Sequence, residues 1–339
     1  AQQLSTLDRY LPVWILAAMV VGLLLGRVVP GIGTALAAVE VDGVSLPISI
    51  GLLVMMYPVL AKVRYDRLGT VTHDRRMLVS SLLLNWVVGP LVMFTLAWTF
   101  LADLPTYRTG LIIVGLARCI AMVIIWNDLA AVLVAINSIF QVVAFAALGW
   151  FYLSALPSWL GLEQTSLNVS AWQIAKSVLI FLGIPLVAGY LTRTLGENAW
   201  GRETYEHSFL PKIGPWALYG LLFTVVVLFA LQGEQITSRP LDVVRIALPL
   251  LVYFAVMWGI GHLLGRSLHL GYERTTTLAF TAAGNNFELA IAVAISTFGV
   301  TSGQALAGVV GPLIEVPALI GLVYISLWLR KRYPVDSQH

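Results

Sequence analysis

Two uninterrupted apolar runs, GLLVMMYPVLA (51–61) and LLFTVVVLFAL (221–231), decide the fold class. Transmembrane β-strands alternate polar and apolar side chains over about 10 residues, and neither run alternates. A helix needs about 20 mainly apolar residues to cross roughly 30 Å of hydrocarbon. Both runs belong to charge-poor stretches of about that length, so they predict membrane-spanning helices.

The composition of the whole chain supports the same interpretation. The 339 residues are 59% hydrophobic, only 11% are Asp, Glu, Lys or Arg, and the mean hydropathy is +0.87. Soluble domains carry about 25% charged residues. The composition therefore argues against a cytoplasmic enzyme, a nucleic-acid binder and a disordered adaptor. It predicts an integral membrane protein surrounded by lipid.

Charge-poor runs predict ten membrane spans. They are Leu11–Val29, Val44–Ala61, Met77–Leu101, Thr109–Trp126, Leu129–Leu153, Trp172–Thr192, Ile213–Leu231, Val243–Leu264, Thr275–Phe298 and Gln304–Leu329. No connecting loop is long enough to form a domain, so residues 1–339 are expected to form a single transmembrane domain.

The basic residues outside the membrane predict the orientation. With an even number of spans both termini share a side, and cytoplasmic loops carry the excess of Lys and Arg. The side of the N-terminus holds Arg9, Lys62, Arg64, Arg67, Arg75, Arg76, Arg193, Arg202, Lys212, Arg266, Arg274, Arg330, Lys331 and Arg332. The opposite side holds Arg27, Arg108, Lys176, Arg239 and Arg245. We therefore expect a multi-pass plasma membrane protein with both termini in the cytoplasm.

Ten spans divide into two halves of five, about 10–155 and 172–330. Because five is odd, repeated halves must be inverted in the membrane, as in many secondary transporters. NSIFQVV (137–143) aligns with GPLIEVP (311–317), which pairs Gln141 with Glu315. Spans four and nine contain GLARCIAMVIIWND (115–128) and TAAGNNFE (281–288). These polar interruptions predict two broken helices that cross near the membrane centre, although small polar residues also serve helix packing.

Arg118, Glu288 and Glu315 lie well inside predicted spans, away from the span ends, and Asp128 lies near the end of span four. A charge at mid-membrane costs about 2.5–3.5 kcal/mol on insertion scales, so each of these side chains must face a partner or a cavity. An ion pair of Arg118 with Glu288 or Glu315 is one interpretation. The other is a role in coupling or supporting proton movement.

The segment around Glu288 is the stronger functional candidate. Gly284 permits a break in the helix, and the amides of Asn285 and Asn286 are able to satisfy either the freed backbone groups or a ligand. Glu288 is therefore expected to exchange a proton during transport. Glu315 lies in another distorted helix, between two prolines. Gln141 is either a packing residue or a ligand.

Cys119 is the only cysteine, so an internal disulfide is excluded, and the five histidines are too scattered for a zinc site. A lone buried cysteine is usually a small hydrophobic residue. Beside Arg118, however, its thiolate is favoured and suits a thiophilic solute. Asn127 and Asp128 are expected to cap the following helix. We expect no metal, cofactor or catalytic residue; an intramembrane hydrolase would need a histidine partner for Cys119.

At GLARCIAMVIIWNDLA (115–130), TAAGNNFELAIAVAI (281–295) and GPLIEVP (311–317) the chain closely resembles the arsenical-resistance arsenite efflux permeases. This family is part of the bile acid/arsenite/riboflavin transporter superfamily, and the resemblance covers essentially the whole chain. It implies an antiporter that exports arsenite, and sometimes antimonite, in exchange for protons. It also implies that Cys119 and Glu288 are required.

In that interpretation Asn127, Asn285 and Asn286 bind the hydroxyl groups of arsenous acid, while one As–S bond forms with the thiol. The chain has no GxxxxGK[ST] nucleotide-binding loop, so it works either alone or with an accessory arsenic-resistance ATPase. A sodium-coupled organic-anion carrier of the same superfamily is the alternative. Oligomeric state and metalloid preference stay open.

Overall fold

The computed structural model describes residues 10–29, 31–32, 35, 39–41, 44–67, 75–118, 128–162, 171–238 and 240–330. The described residues are helical apart from connecting loops and one short hairpin, in which β1 (Glu40–Val41) pairs antiparallel with β2 (Val44–Ser45). This is the all-helical polytopic architecture that the composition predicts. Lipid can surround such a chain because helices satisfy their own backbone hydrogen bonds.

The helices are named in chain order, and each includes any wide turn within it. They are α1 (Leu11–Val28), α2 (Leu46–Ala61), α3 (Arg75–Phe100), α4 (Pro105–Leu116), α5 (Asp128–Trp150, continued by Phe151–Ala155 and Leu156–Trp159), α6 (Ala171–Val178, Leu179–Gly183 and Ile184–Trp200), α7 (Arg202–Thr204, Tyr205–Phe209 and Leu210–Ser238), α8 (Pro240–Ser267), α9 (Gly271–Ala283), α10 (Phe287–Phe298) and α11 (Gly303–Arg330).

Every predicted span overlaps at least one described helix. Six helical stretches are long and apolar enough to cross a membrane, within α3, α5, α6, α7, α8 and α11. Shorter apolar helices occur at Val13–Val28, Leu46–Ala61 and Phe287–Phe298. The structure thus has several membrane-spanning helices, while the total of ten spans and the inverted repeat remain predictions.

Four helices contain a wide, π-helical turn, and in each case a proline follows. The turns are Leu84–Val88, Phe151–Ala155, Leu179–Gly183 and Tyr205–Phe209, and the prolines two residues later are Pro90, Pro157, Pro185 and Pro211. A proline ring clashes with the carbonyl four residues before it and offers no N–H. The residue before each proline donates to the carbonyl five residues back, as Gly89 does to Leu84, and the helix widens around the ring.

The helices pack in two groups. In the first, α7 packs on α1 and α2, and α6 packs on α2. In the second, α3, α4, α8, α9, α10 and α11 pack on one another. Helix α5 contacts α6 and also α3, through the ring pair of Trp86 and Phe140. The second group contains the interruptions predicted for spans four and nine.

Polar contacts fix α4 within the second group. Tyr107 donates its hydroxyl to Asp242 Oδ2 over 2.9 Å, and Arg245 Nη1 donates to Asp103 Oδ2 over 2.8 Å. The hydrogen bond from Arg245 holds the pKa of Asp103 below its usual range. The loop between α3 and α4 is thereby tied to the start of α8.

Glycines allow the backbones of α1 and α7 to approach closely. A β-carbon on Gly26 would collide with the carbonyl group of Ala230, and one on Gly22 would collide with that of Val226. Small residues at such positions are the usual means by which membrane helices pack, because lipid provides no hydrophobic drive for association. By contrast, a β-carbon on Gly259 in α8 would meet open space.

We predict that Gly26→Ala lowers the melting temperature of the detergent-purified protein by several degrees, because overpacking costs about 1–3 kcal/mol. Gly259→Ala is the matched control and should leave the melting temperature unchanged within about 1 °C, because the added methyl meets no atom. Samples are heated to a series of temperatures, and size-exclusion chromatography measures the fraction of the protein that stays folded at each temperature. Equal stability of the Gly26 variant and the wild type would contradict the close packing of α1 on α7.

Candidate functional site

Helices α4 and α9 both end inside the second group, and the extended segments that follow them run antiparallel. α4 ends at Leu116 and α9 at Ala283, and Arg118 pairs with Asn285 as an isolated antiparallel bridge. The N–H of Asn286 donates to the carbonyl of Ala117 over 2.9 Å. The interruptions predicted in spans four and nine are therefore present and meet each other. We call the paired segments, 117–118 and 284–286, the crossing.

The guanidinium of Arg118 is fully buried and joins the crossing to two further helices. Its Nη2 donates to Asn285 Oδ1 over 2.6 Å and to the hydroxyl of Tyr253 in α8 over 2.5 Å. Its Nη1 donates to the carbonyl of Asn85 in α3 over 3.2 Å. Among the described residues its hydrogen bonds thus go to neutral acceptors. The ion pair with Glu288 or Glu315 that the sequence suggested does not form, because other groups occupy the guanidinium.

The carbonyl of Asn85 is available to Arg118 because of Pro90. In a regular helix this carbonyl would accept from Gly89, but the N–H of Gly89 donates to Leu84 instead. In a wide turn the carbonyl of Asn85 would instead accept from residue 90, but residue 90 is proline and has no N–H. Gly89 is required as well, because a β-carbon there would collide with Arg118 Nη1. The distortion of α3 therefore prepares a site for a buried cation.

Gln141 and Glu315 support the two broken segments in equivalent ways. The backbone N–H of Arg118 donates to Gln141 Oε1 over 2.5 Å, and that of Asn285 donates to Glu315 Oε1 over 3.3 Å. Both side chains are buried. In both cases a helix further along the chain, α5 for Gln141 and α11 for Glu315, supplies a side-chain oxygen to a backbone N–H that the break has freed. The sequence alignment had paired these two residues without indicating this shared role.

The start of α10 brings Asn286 and Glu288 together. Asn286 Oδ1 accepts from the N–H of Leu289 over 3.0 Å, which makes Asn286 the N-cap of the helix. Glu288 lies in the first turn, where a carboxylate is favoured by the helix dipole. In the fully described stretch from Thr281 to Ile295 it is the one residue that is partly exposed, the others being buried. Glu288 is therefore the acidic residue of this segment, and the protein does not enclose it completely.

Three amide side chains at the crossing have their orientation fixed by donors. The oxygens of Gln141 and Asn286 accept from backbone N–H groups, and that of Asn285 accepts from Arg118. Each of these partners can only donate, so each amide must turn its oxygen toward the partner. The amide nitrogens of all three, and Arg118 Nε, are buried and have no hydrogen-bond partner in the described part of the chain. Within the described residues, the side-chain atoms without a partner at the crossing are therefore N–H donors.

The remaining predicted site residues are only partly described. Cys119 and Asn127 lie outside the described residues, and Asp128 is the first residue of α5. Two contributors, Asn85 and Tyr253, were not anticipated from the sequence. A polar residue five positions before a proline inside an apolar span was the available signal for Asn85. Nothing in the sequence distinguishes Tyr253 from the rest of the 12 tyrosines.

Comparisons with known proteins show which family the chain belongs to. The family model described as Sodium Bile acid symporter family matches residues 49–239. The arsenical-resistance protein Acr3 of Corynebacterium glutamicum is 58% identical over 98% of this chain and 92% of its own length. An uncharacterized transporter of a Synechocystis strain is 35% identical, over 99% of this chain and 92% of its own. The arsenical-resistance protein Acr3 of Alkaliphilus metalliredigens is 32% identical, over 96% of this chain and 94% of its own.

The matches to the three relatives extend over 96–99% of the chain, and the family model covers more than half of it. The chain therefore belongs to the sodium bile acid symporter family.

Proposed function

We propose that this chain is an arsenical-resistance transporter that exports arsenite, and also antimonite, from the cytoplasm in exchange for protons. The observation that carries the proposal is the set of buried N–H donors at the crossing. The names of the relatives from Corynebacterium and Alkaliphilus identify the class of cargo. The protein is placed in the plasma membrane with both termini in the cytoplasm, in keeping with the distribution of Lys and Arg.

Arsenous acid is a neutral, pyramidal molecule with three hydroxyl oxygens. The thiol of Cys119 displaces one hydroxyl, which takes up the thiol proton and leaves as water, so that a single As–S bond replaces one As–O bond. The amide nitrogens of Gln141, Asn285 and Asn286 donate to the remaining oxygens. Cys119 directly follows Arg118, so its backbone begins where the described crossing ends. Moderate binding by one thiol and a few hydrogen bonds suits a carrier, because the cargo must also leave.

The proposed framework is ten spans in two inverted repeats, with the crossing between them. Support comes from the equivalence of the hydrogen bonds to Gln141 and Glu315, because the sequence alignment pairs the same two residues. The two helices before the breaks are also alike in length, at 12 residues for α4 and 13 for α9. In this framework Glu288 exchanges the proton that is coupled to release of the cargo.

A sodium-coupled organic-anion carrier is the second candidate, favoured by the description of the matching family model. Sodium binds to several oxygen ligands, and donors cannot serve it. At the crossing, the buried side-chain atoms without a partner are nitrogens within the described residues, and Asn85 in α3 has a buried oxygen without a partner, Oδ1. The side-chain nitrogens without hydrogen-bond partners therefore favour a solute rich in acceptor oxygens over a sodium ion at the crossing.

The first prediction concerns the thiol. Everted vesicles that contain the wild type should take up arsenite when a proton gradient is imposed, and Cys119→Ser should reduce the initial rate at least tenfold. A sodium gradient alone should drive no uptake of arsenite or of a bile acid. Uptake that survives in Cys119→Ser would make Cys119 a packing residue. Bile acid uptake driven by sodium, without arsenite movement, would favour the second candidate.

The second prediction concerns proton coupling. Glu288→Gln removes the titratable group and preserves shape, so uptake of arsenite driven by the proton gradient should be lost. Glu288→Asp is the matched variant; it restores a carboxyl in the same helical turn and should recover a measurable part of the rate. Proton-dependent transport by Glu288→Gln at the wild-type rate would show that another group carries the proton.

The third prediction separates binding from capping at Asn286. Asn286→Asp keeps an oxygen to cap α10 but removes the amide donor, so the KM for arsenite should rise about tenfold, the value of one hydrogen bond of about 1–1.5 kcal/mol. Its melting temperature should match the wild type. Asn286→Ala should also lose about 1 kcal/mol of stability from the missing cap. A normal KM in Asn286→Asp would make this residue a cap alone.

A further inference from the structure

Two side-chain hydrogen bonds join the two helix groups at the end of α10 that is remote from the crossing. Ser177 of α6 and Ser296 of α10 place their hydroxyl oxygens 2.5 Å apart. Gln232 of α7 donates its amide to the carbonyl of Val300, two residues beyond the end of α10, over 2.6 Å. Ser177 and Gln232 are buried. Helices α6 and α7 belong to the first group, whereas α10 belongs to the second.

Helix α10 contacts both groups, but it packs most extensively on the second group, and on α11 above all. The ring of Phe287 lies against Gly311, where a β-carbon would collide with it, and Ile291 lies similarly against Gly308. Between Phe287 and Phe298 there is neither a proline nor a glycine to bend the helix. Glu288 and Ser296 are eight residues apart, about 12 Å at 1.5 Å per residue. A displacement at the crossing is therefore transmitted to the other end of α10.

The serine contact is built so that it separates at low cost. Ser177 Oγ also lies 2.8 Å from the carbonyl of Gln173, and Ser296 Oγ lies 3.1 Å from that of Val293. Each hydroxyl thus has an acceptor within its own helix and keeps a hydrogen bond when the helices part. A buried polar contact without such alternatives would leave unsatisfied groups, at about 1–3 kcal/mol each.

We propose that Ser177, Ser296 and Gln232, with the carbonyl of Val300, form a latch that closes one face of the transporter and must open once in every transport cycle. The latch rests on the proposed function. With the N-terminus in the cytoplasm, the direction of the chain places the end of α10 at the outer face. The latched structure is thus closed to the outside, and opening it releases the cargo there.

The test uses the pair Ser177→Cys and Ser296→Cys, oxidised with copper phenanthroline in everted vesicles. Hydroxyl oxygens 2.5 Å apart bring the two β-carbons close to disulfide distance. The pair Thr276→Cys and Ser326→Cys is the matched control. These residues join α9 and α11, which both belong to the second group, with oxygens 3.5 Å apart. The reductant is a phosphine, because a dithiol would chelate arsenite.

Because a reduced cysteine pair can itself bind arsenite, each rate is compared with that of the same variant before oxidation. We expect oxidation to reduce arsenite uptake at least tenfold in the latch pair, phosphine to restore the rate before oxidation, and the control pair to be unaffected. Unchanged transport by the cross-linked latch pair would overturn the proposal, and so would failure of the latch disulfide to form. Equal inhibition in the control pair would also overturn the proposal, because a disulfide within one helix group would then inhibit transport without holding the latch closed.

A second measurement keeps the latch separate from the identity of the cargo. A membrane-impermeant maleimide is used, and the labelled peptides are identified by mass spectrometry so that Cys119 is distinguished from the two introduced cysteines. Cys119 should be labelled from the cytoplasmic face only in the oxidised latch pair, and from both faces in the reduced pair. This result supports the latch even if no arsenite moves, which would refute the proposed cargo alone. Labelling of the oxidised pair from the outer face would overturn the latch even if arsenite transport is confirmed.

Discussion

The structure depends on one constraint, which is that backbone groups freed inside a lipid-surrounded body must find partners within the protein. Helices α4 and α9 end in the buried interior, and each helix end leaves N–H and C=O groups without helical partners. The antiparallel pairing of Arg118 with Asn285 satisfies some of these groups. Oxygens of Gln141, Glu315 and Asn286 accept from others. The crossing is thus stable as a consequence of hydrogen bonding rather than of apolar packing alone.

Arg118 shows how a buried cation is accommodated without a carboxylate partner. Its guanidinium binds a carbonyl in α3, a hydroxyl in α8 and the opposite segment of the crossing. The carbonyl is available because Pro90 removes the helical donor, and Gly89 leaves room for the guanidinium. Replacing one partner would leave a buried charge underbonded, a large destabilisation in a medium of low dielectric constant. The side chain of Arg118 therefore fixes the positions of α3 and α8 relative to the crossing.

The same residues serve structure and the proposed binding of arsenite. Each amide at the crossing uses its oxygen for the fold, and its nitrogen, which has no partner within the described residues, is the group proposed to bind the solute. This division follows from chemistry, since a backbone N–H or a guanidinium accepts no hydrogen bond. At the far end of α10 the hydroxyls of Ser177 and Ser296 likewise have two sets of partners. A transporter needs such dual use because its polar groups must be satisfied in more than one state.

The sequence alone determined the fold class, the approximate position of the spans and the two interruptions, because apolar run length and a charge-poor composition report directly on lipid burial. It also paired Gln141 with Glu315 and singled out Arg118, Asn285, Asn286 and Glu288. Only the tertiary structure decided what these residues bind: Arg118 takes neutral acceptors instead of a glutamate, and Asn85 and Tyr253 become its partners. Such contacts join residues up to 167 positions apart, and a linear pattern carries no information on which distant helix presents which acceptor.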